Sequence, residues 1–431
     1  MRISSGMIFD AGVSGMNRQL GALLKTQEQL SSGRRIITPG DDPVAAARAL
    51  EVTQASDVVS QFTQNQQTAL GALGLEEAQL SSAEDVLQRV HELAVQAGNT
   101  SLTSVARKAI AHELRGSFDQ LMGIANARDA AGDYVFAGFM SDTEPFGGSV
   151  DSILAGGEIS YQGDQGQRTL QVSPNRYIDV SDSGLDVFRR IGNGNGYFVT
   201  DYASANTGTA VVNNGTITDP AAWQSATAKN LEVRFTVTGA VTTYDLVDTV
   251  SGKSMLTGGA APAAVGSQRS FISGQPIGLK SQGAEPAFDL GGSITITGPA
   301  ASGDRFSIAP STSQSVFATV ANLIGTLESG ATTPAANAQY INDVSLAIGN
   351  ISLATENIVR VHSQIGSRMN EIDSLATMND DLIVQYKQTL SNIQDLDYAK
   401  AISDLTRQQT ELQAAQQSFV KVSQLSLFSF L

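Results

Sequence analysis

Residues 41–99 read DDPVAAARALEVTQASDVVSQFTQNQQTALGALGLEEAQLSSAEDVLQRVHELAVQAGN, and the spacing within them decides the fold. Asp41-Asp42-Pro43 opens a helix: Asp42 can receive free backbone amides, and Pro43 suits the first helical position, where an N–H would have no partner. Val52, Val59, Gln66, Leu73, Leu80, Leu87 and Ala94 then recur every seven residues. Ala55, Phe62, Ala69, Glu76, Ala83, Val90 and Ala97 make a companion row. A seven-residue register sustained this long predicts a rod packed on partner helices in coiled-coil fashion. Gln66 and Glu76 interrupt the apolar rows, the many alanines imply close helix approach, and Gly98-Asn99 ends the helix.

Upstream, Val13, Met16, Leu20, Leu23 and Leu30 fall at three- and four-residue steps around the polar Gln27, which predicts a helix over Ser4–Leu30 with one apolar seam. Ser31-Ser32-Gly33-Arg34-Arg35 breaks it, and Thr38-Pro39-Gly40 is a turn signal. The linker from Ser31 to Asp42 reads either as an ordinary turn or as a segment that absorbs mismatch between packing layers. Downstream, Leu114, Phe118, Leu121 and Ala125 form the stripe of a helix over about 103–130, which would fold back as an antiparallel hairpin.

Helical periodicity stops after Gly132. Leu231–Val237 alternates with period two, as does Ser293–Thr297 between Gly292 and Gly298, so both read as strands. From about 311 to 429 helix returns. Ile351, Ile358, Ile365 and Ile372 share one heptad slot, and Ala354, Val361 and Leu375 share the other, with Arg368 as a polar exception. The register changes near Leu396, after which Leu405, Leu412 and Phe419 recur, followed by Val422, Leu425, Leu427, Phe428, Phe430 and Leu431. An apolar chain end of this kind is a liability unless a partner buries it, so it predicts assembly. The expected fold is α+β and multidomain: a long coiled-coil-like helical rod from both chain ends with a central β-rich insertion. Residues 1–40 and 396–431 would be terminal helices of an axial assembly layer, 41–132 and 311–395 the helical rod domain, and 133–310 a β-rich outer region of one or two subdomains, giving a rod with a knob.

Composition narrows the function. The chain has 431 residues, a formal net charge of -15 and only paired basic residues such as Arg34-Arg35 and Arg189-Arg190, a poor match to nucleic acid. Cysteine is absent, which removes disulfides, thiol nucleophiles and thiolate metal sites. No run of 18 apolar residues suggests membrane insertion, and the first residues lack the pattern of a cleaved signal peptide. His91, His112 and His362 form no H-E-x-x-H motif, so no metal is expected. Gly12-Val13-Ser14-Gly15 lacks nucleophile-elbow spacing, and the glycines at 192–196 and 257–259 lack a phosphate-binding pattern. Asp179, Asp182 and Asp186 miss the order of a calcium loop and read as a solvated acidic loop. Asp133 and Asp142 show no pairing that would suggest glycosidase chemistry, and the Asn99-Thr100-Ser101 and Asn214-Gly215-Thr216 sequons carry little weight. No catalytic residue, metal or cofactor is expected, and the chain reads as a non-enzyme.

The run Leu30-Ser31-Ser32-Gly33-Arg34-Arg35-Ile36, followed by Asp41-Asp42-Pro43-Val44-Ala45-Ala46-Ala47-Arg48-Ala49, resembles the N-terminal linker and helix start of the flagellin superfamily. Met1-Arg2-Ile3-Ser4 with Met7-Ile8-Phe9, Asp133–Phe139, Thr143–Phe146 and Ser418–Phe428 resemble its hook–filament junction members more than its filament flagellins. The likeness covers about 1–146 and 340–431. It implies a structural adaptor, exported through the flagellar type III apparatus without a cleaved signal peptide. A cytoplasmic export chaperone would hold its C-terminal helix. Outside the cell it would form a homo-oligomeric helical ring between the first junction protein and flagellin. The assembly seam would comprise Val13, Met16, Leu20, Leu23, Leu30, Leu405, Leu412, Phe419, Val422, Leu425 and Phe428. Rod packing would rest on Val52, Val59, Phe62, Leu73, Leu80, Leu87, Ile351, Ile358, Ile365 and Ile372, and Gly33, Asp41, Asp42 and Pro43 would form the linker and cap. Two other readings are a filament-forming flagellin and a surface adhesin or carbohydrate-binding module on a helical anchor.

Overall fold

The computed structural model describes residues 5–330 and 332–428, and for Ser5, Ile8 and residues 423–428 it describes the backbone alone. Its helices are α1 (Ser5–Ser32), α2 (Pro43–Ala97), α3 (Ser104–Ala125), the short α4 (Val150–Leu154) and α5 (Pro220–Ser225), then α6 (Val316–Ser329), α7 (Pro334–Gln394) and α8 (Tyr398–Phe428). Two compact units result. One holds Met1–Gln67, Gln171–Arg176 and Ile372–Leu431, and the other Thr68–Leu170 and Tyr177–Glu371.

In the larger unit α2 and α7 run antiparallel. Tyr340, near the start of α7, donates its hydroxyl to the carbonyl of Ala97 at the end of α2 (2.6 Å), while His362 further along meets Glu84 (2.8 Å). Leu73, Leu80, Leu87, Ile351, Ile358 and Ile365 are fully buried, and Ala69, Ala83 and Ala94 let the backbones approach. Thr103 caps α3 by accepting from the Ala106 amide (3.2 Å). Leu114, Phe118, Leu121 and Ala125 are its buried stripe, and Phe118 meets Phe317 of α6 edge-on at 5.8 Å. Around that contact Phe136 and Phe146 meet Phe188 edge-on at 5.2 and 5.7 Å, and Phe146 lies tilted against Phe317 at 5.3 Å.

Over about 311–429, where helix is expected to return, the structure has separate helices. Ser313–Gln314 still pairs as β-structure with Ile191–Gly192. α6 is a separate helix, capped by Ser315 and packed on α3 and α4. It stops where Gly330 turns to φ +73°, and Pro334 starts α7 afresh.

The β-rich part contains β1 (Phe198–Tyr202), β2 (Leu231–Thr238), β3 (Val241–Asp248), β4 (Pro276–Lys280), β5 (Asp289–Thr297) and β6 (Arg305–Pro310). One antiparallel sheet runs β3-β2-β6-β1, extended beyond β3 by Lys253–Ser254. The other centres on β5, paired with β4 and with the short Val211–Val212 and Thr216–Ile217 strands. β2 and β3 form a hairpin whose two-residue loop places Gly239 at φ +63°, the conformation primed turns need. Alternate residues Leu231, Val233 and Phe235 enter a core with Leu246, Ile277, Ile294, Ile296, Phe306 and Ile308, roofed by Trp223 of α5 against Phe198.

Candidate functional site

The smaller unit joins the two ends of the described chain. α1 and α8 lie side by side, with the Phe9 and Phe419 rings 5.0 Å apart and tilted by 52°. Gly12 makes this approach possible, because a Cβ there would stand 2.8 Å from Phe419 Cδ2. Of the expected seam, Val13, Met16, Leu23, Leu30, Leu405, Leu412 and Phe419 are half-buried, whereas Leu20 and Val422 keep 45% and 49% of their surface exposed. The side chains of Leu425 and Phe428 lie outside the described residues. Among the described residues of these two helices only Thr26 and Ala401 are buried. Two helices give each other one neighbour apiece, so each apolar stripe, wider than one contact, stays partly in water. A groove of about 330 Å³ runs along the open side, floored by Gly12, Met16, Ala415 and Phe419.

Both helices end at the same level, and their two breaks are stitched together. The Arg35 amide donates to the Gln394 carbonyl (2.7 Å), and the Leu396 amide donates to Gly33 (3.0 Å). The Arg35 guanidinium reaches the Ile393 carbonyl (2.8 Å), and Gln29 Nε2 donates to the Arg35 carbonyl (2.6 Å). Gly33 sits at φ +68°, a conformation that favours glycine, and the Tyr398 hydroxyl would lie 2.7 Å from a Cβ there. Asp42 caps α2 by accepting from the Ala45 amide (3.1 Å), ahead of Pro43. Asp41 has a different task. Its carboxylate closes the 37–41 turn by accepting the Ile37 and Thr38 amides (3.1 and 3.0 Å) while pairing with Lys25 (2.7 Å). Lys25 foremost, and those amides, hold the carboxyl well below the usual carboxylate range.

The rod positions are buried at Val59, Phe62, Leu73, Leu80, Leu87, Ile351, Ile358, Ile365 and Ile372, while Val52 is half-buried. The polar interruptions are buried too, each against backbone. Gln66 donates to the Val172 carbonyl (2.9 Å), and Glu76 accepts the Asp182 amide (3.0 Å). Asp182 corrects the solvated-loop reading: it is 6% exposed, and its carboxylate takes both Arg368 nitrogens at 2.8 and 3.0 Å. Arg368, the polar exception of its heptad row, therefore has an ion-pair partner. Residues missed in the sequence are Gly12, Lys25 and Tyr398; only the small-residue pair Gly12 and Gly15 hinted at a ring docking there.

Among the described residues, no group of three His, Cys, Asp or Glu could hold a metal ion, and no helix is long and apolar enough to cross a membrane. The bacterial flagellin N-terminal helical region matches residues 3–141, and the bacterial flagellin C-terminal helical region matches 348–431. Flagellar hook-associated protein 3 of Salmonella typhimurium is 35% identical over 191 residues, 44% of this chain and 58% of that protein. Its Escherichia coli counterpart is 24% identical over 433 residues, 99% of each chain. The crystal structure of the flagellar junction protein from Legionella pneumophila superposes with a TM-score of 0.69 at 30% identity, covering 81% of this chain and 100% of that one.

Proposed function

The chain belongs to the flagellin superfamily, in its hook-associated protein 3 family, and from that premise we propose that it is a structural adaptor joining flagellar hook to filament. The observation that carries this reading is the half-covered seam of α1 and α8. Two apolar stripes are paired with each other, yet expose Met7, Phe9, Leu20, Leu24, Ile402, Val420 and Val422. Further copies of the same helix pair, arranged as a helical ring, would bury what the single chain cannot. Residues 1–40 and 396–431 would then form the axial layer, with the first junction protein on one side and flagellin on the other. Export through the flagellar type III apparatus with a chaperone on the C-terminal helix belongs to the same proposal, as does a place outside the cell without a cleaved signal peptide. The role needs geometric matching of two lattices and no catalysis.

Electron microscopy of cells lacking the gene, with an assay of flagellin in the medium, tests the proposal. Hooks without filaments, with flagellin lost to the medium, are the expected result. Intact filaments on the deletion strain would overturn it and favour a redundant filament flagellin.

A further inference from the structure

The larger unit holds two proton-binding bridges whose chemistry the adaptor role does not use. Glu76 occupies a core slot of α2 at 1% exposure, where an ionised carboxylate is strongly disfavoured unless paired. Its Oε1 accepts the Asp182 amide, and its Oε2 has no hydrogen-bond partner among the described residues. One of the two cations nearby is already committed. Arg368 of α7 grips the Asp182 carboxylate with two nitrogens, and Gln167 Nε2 adds a third bond at 2.8 Å. The groups acting on this site are Asp182, Arg368 and Arg168, with Asp179 acting on Arg368. Burial first, then the like charge of Asp182, pushes the Glu76 carboxyl up to about 8. Further along the same two helices His362 of α7 stands between two α2 carboxylates, with Nδ1 2.8 Å from Glu84 and Nε2 3.6 Å from Glu77. Its hydrogen bond to Glu84 raises the imidazole above its ordinary value.

We propose that the antiparallel α2–α7 pair is a proton-operated clamp, tight when Glu76 and His362 each carry a proton and looser once both protons are lost. The two groups act in the same direction. An unfolded glutamate gives up its proton near 4.5 while buried Glu76 keeps it to about 8, so the folded form loses stability as the pH climbs between those values. His362 gives its full contribution below the ordinary imidazole value and loses it as the pH rises through its raised folded value. Ionised Glu76 would face Asp182 as a second buried anion, and neutral His362 would leave Glu77 and Glu84 without a cation between them. The link between charge and packing is local: it bears on α2 between Leu73 and Leu87 and on α7 around His362 and Arg368.

Hydrogen exchange of the full chain, corrected for intrinsic rates, tests the clamp between about pH 5 and 8. Protection of α2 amides from Leu73 to Leu87 should fall by roughly tenfold for each pH unit per proton lost, against a flat profile for α3. Glu76→Gln should remove most of that slope, and Glu76→Gln with His362→Gln should abolish it. A wild-type profile without slope, or a double variant that keeps the slope, overturns the proposal. A variant that does not fold leaves the wild type as its own test, through carbonyl NMR with carboxyl-labelled glutamate. A Glu76 midpoint raised well above 4.5 upholds the clamp, and one that stays at that ordinary value overturns it.

Discussion

Phe419 lies where the side chain of residue 12 would be, and this one exchange sets how closely the ends of the chain approach. At the other end of the same helix pair, Asp41 and Asp42 divide the work of the linker and the helix start between them. Asp42 is the cap ahead of Pro43, while Asp41 turns back to hold two amides of the preceding turn and Lys25. Nothing in local spacing ties Lys25 to Asp41, because the turn that brings them together depends on Gly33 adopting φ +68°. A carboxyl held below its ordinary value contributes stability above about pH 4 and loses it only as the pH falls through the lower folded value. The Ile37 and Thr38 amide signals should therefore stay protected from neutrality down to about pH 4 and open only in stronger acid. Asp41→Asn should expose both amides at every pH, as read by two-dimensional NMR exchange.

At the scale of elements the two classes of helix differ in how they are held. The α2 and α7 rows were legible because seven-residue spacing survives over many turns, and Leu80 is fully buried as its slot requires. Leu80→Ala should lower the stability of the larger unit by about 3 kcal/mol in denaturant titration, since a well-packed core collapses only partly around a deleted side chain. Leu412 and Phe419 obey the same spacing but are only half-buried in the single chain. Replacing both with Asp should leave the monomer folded by circular dichroism, yet prevent incorporation into the flagellum. Normal incorporation of that double variant in immunogold microscopy would contradict a packing role for the seam. The separate existence of α6 was not legible. Its stripe continues the apolar pattern of the C-terminal half, and only Gly330 before Pro334 marks the stop. Asp182 was misread for a related reason. Acidic residues near a glycine look solvated until Arg368, 186 positions away, arrives beside them.

For the molecule as a whole, the β-rich part reads as an insertion with its own core. Its alternating strands, Leu231–Thr238 above all, were legible because one face is buried and the other wet. Its two-residue strands were not, because their register comes from partners far along the chain. It leaves and rejoins the helices through a narrow pair, Gly192 beside Ser313 and Asn193 bonded to Thr312 (3.1 Å). Asn342 and Asn350 of α7 also accept the Val212 and Gly194 amides, at 2.8 and 2.7 Å. Replacing residues 194–311 by a short Gly-Ser loop should keep the helical circular dichroism, at a loss of roughly 0.5–1.5 kcal/mol for each severed bond. Collapse of the helical signal would show that the helices depend on the inserted core. The stitched breaks at Gly33–Arg35 and Ile393–Leu396 have a consequence for heredity. Positions 358 apart in the gene product touch as one locus, so second-site suppressors of motility defects at Arg35 should cluster around codons 393–398, not beside the original lesion.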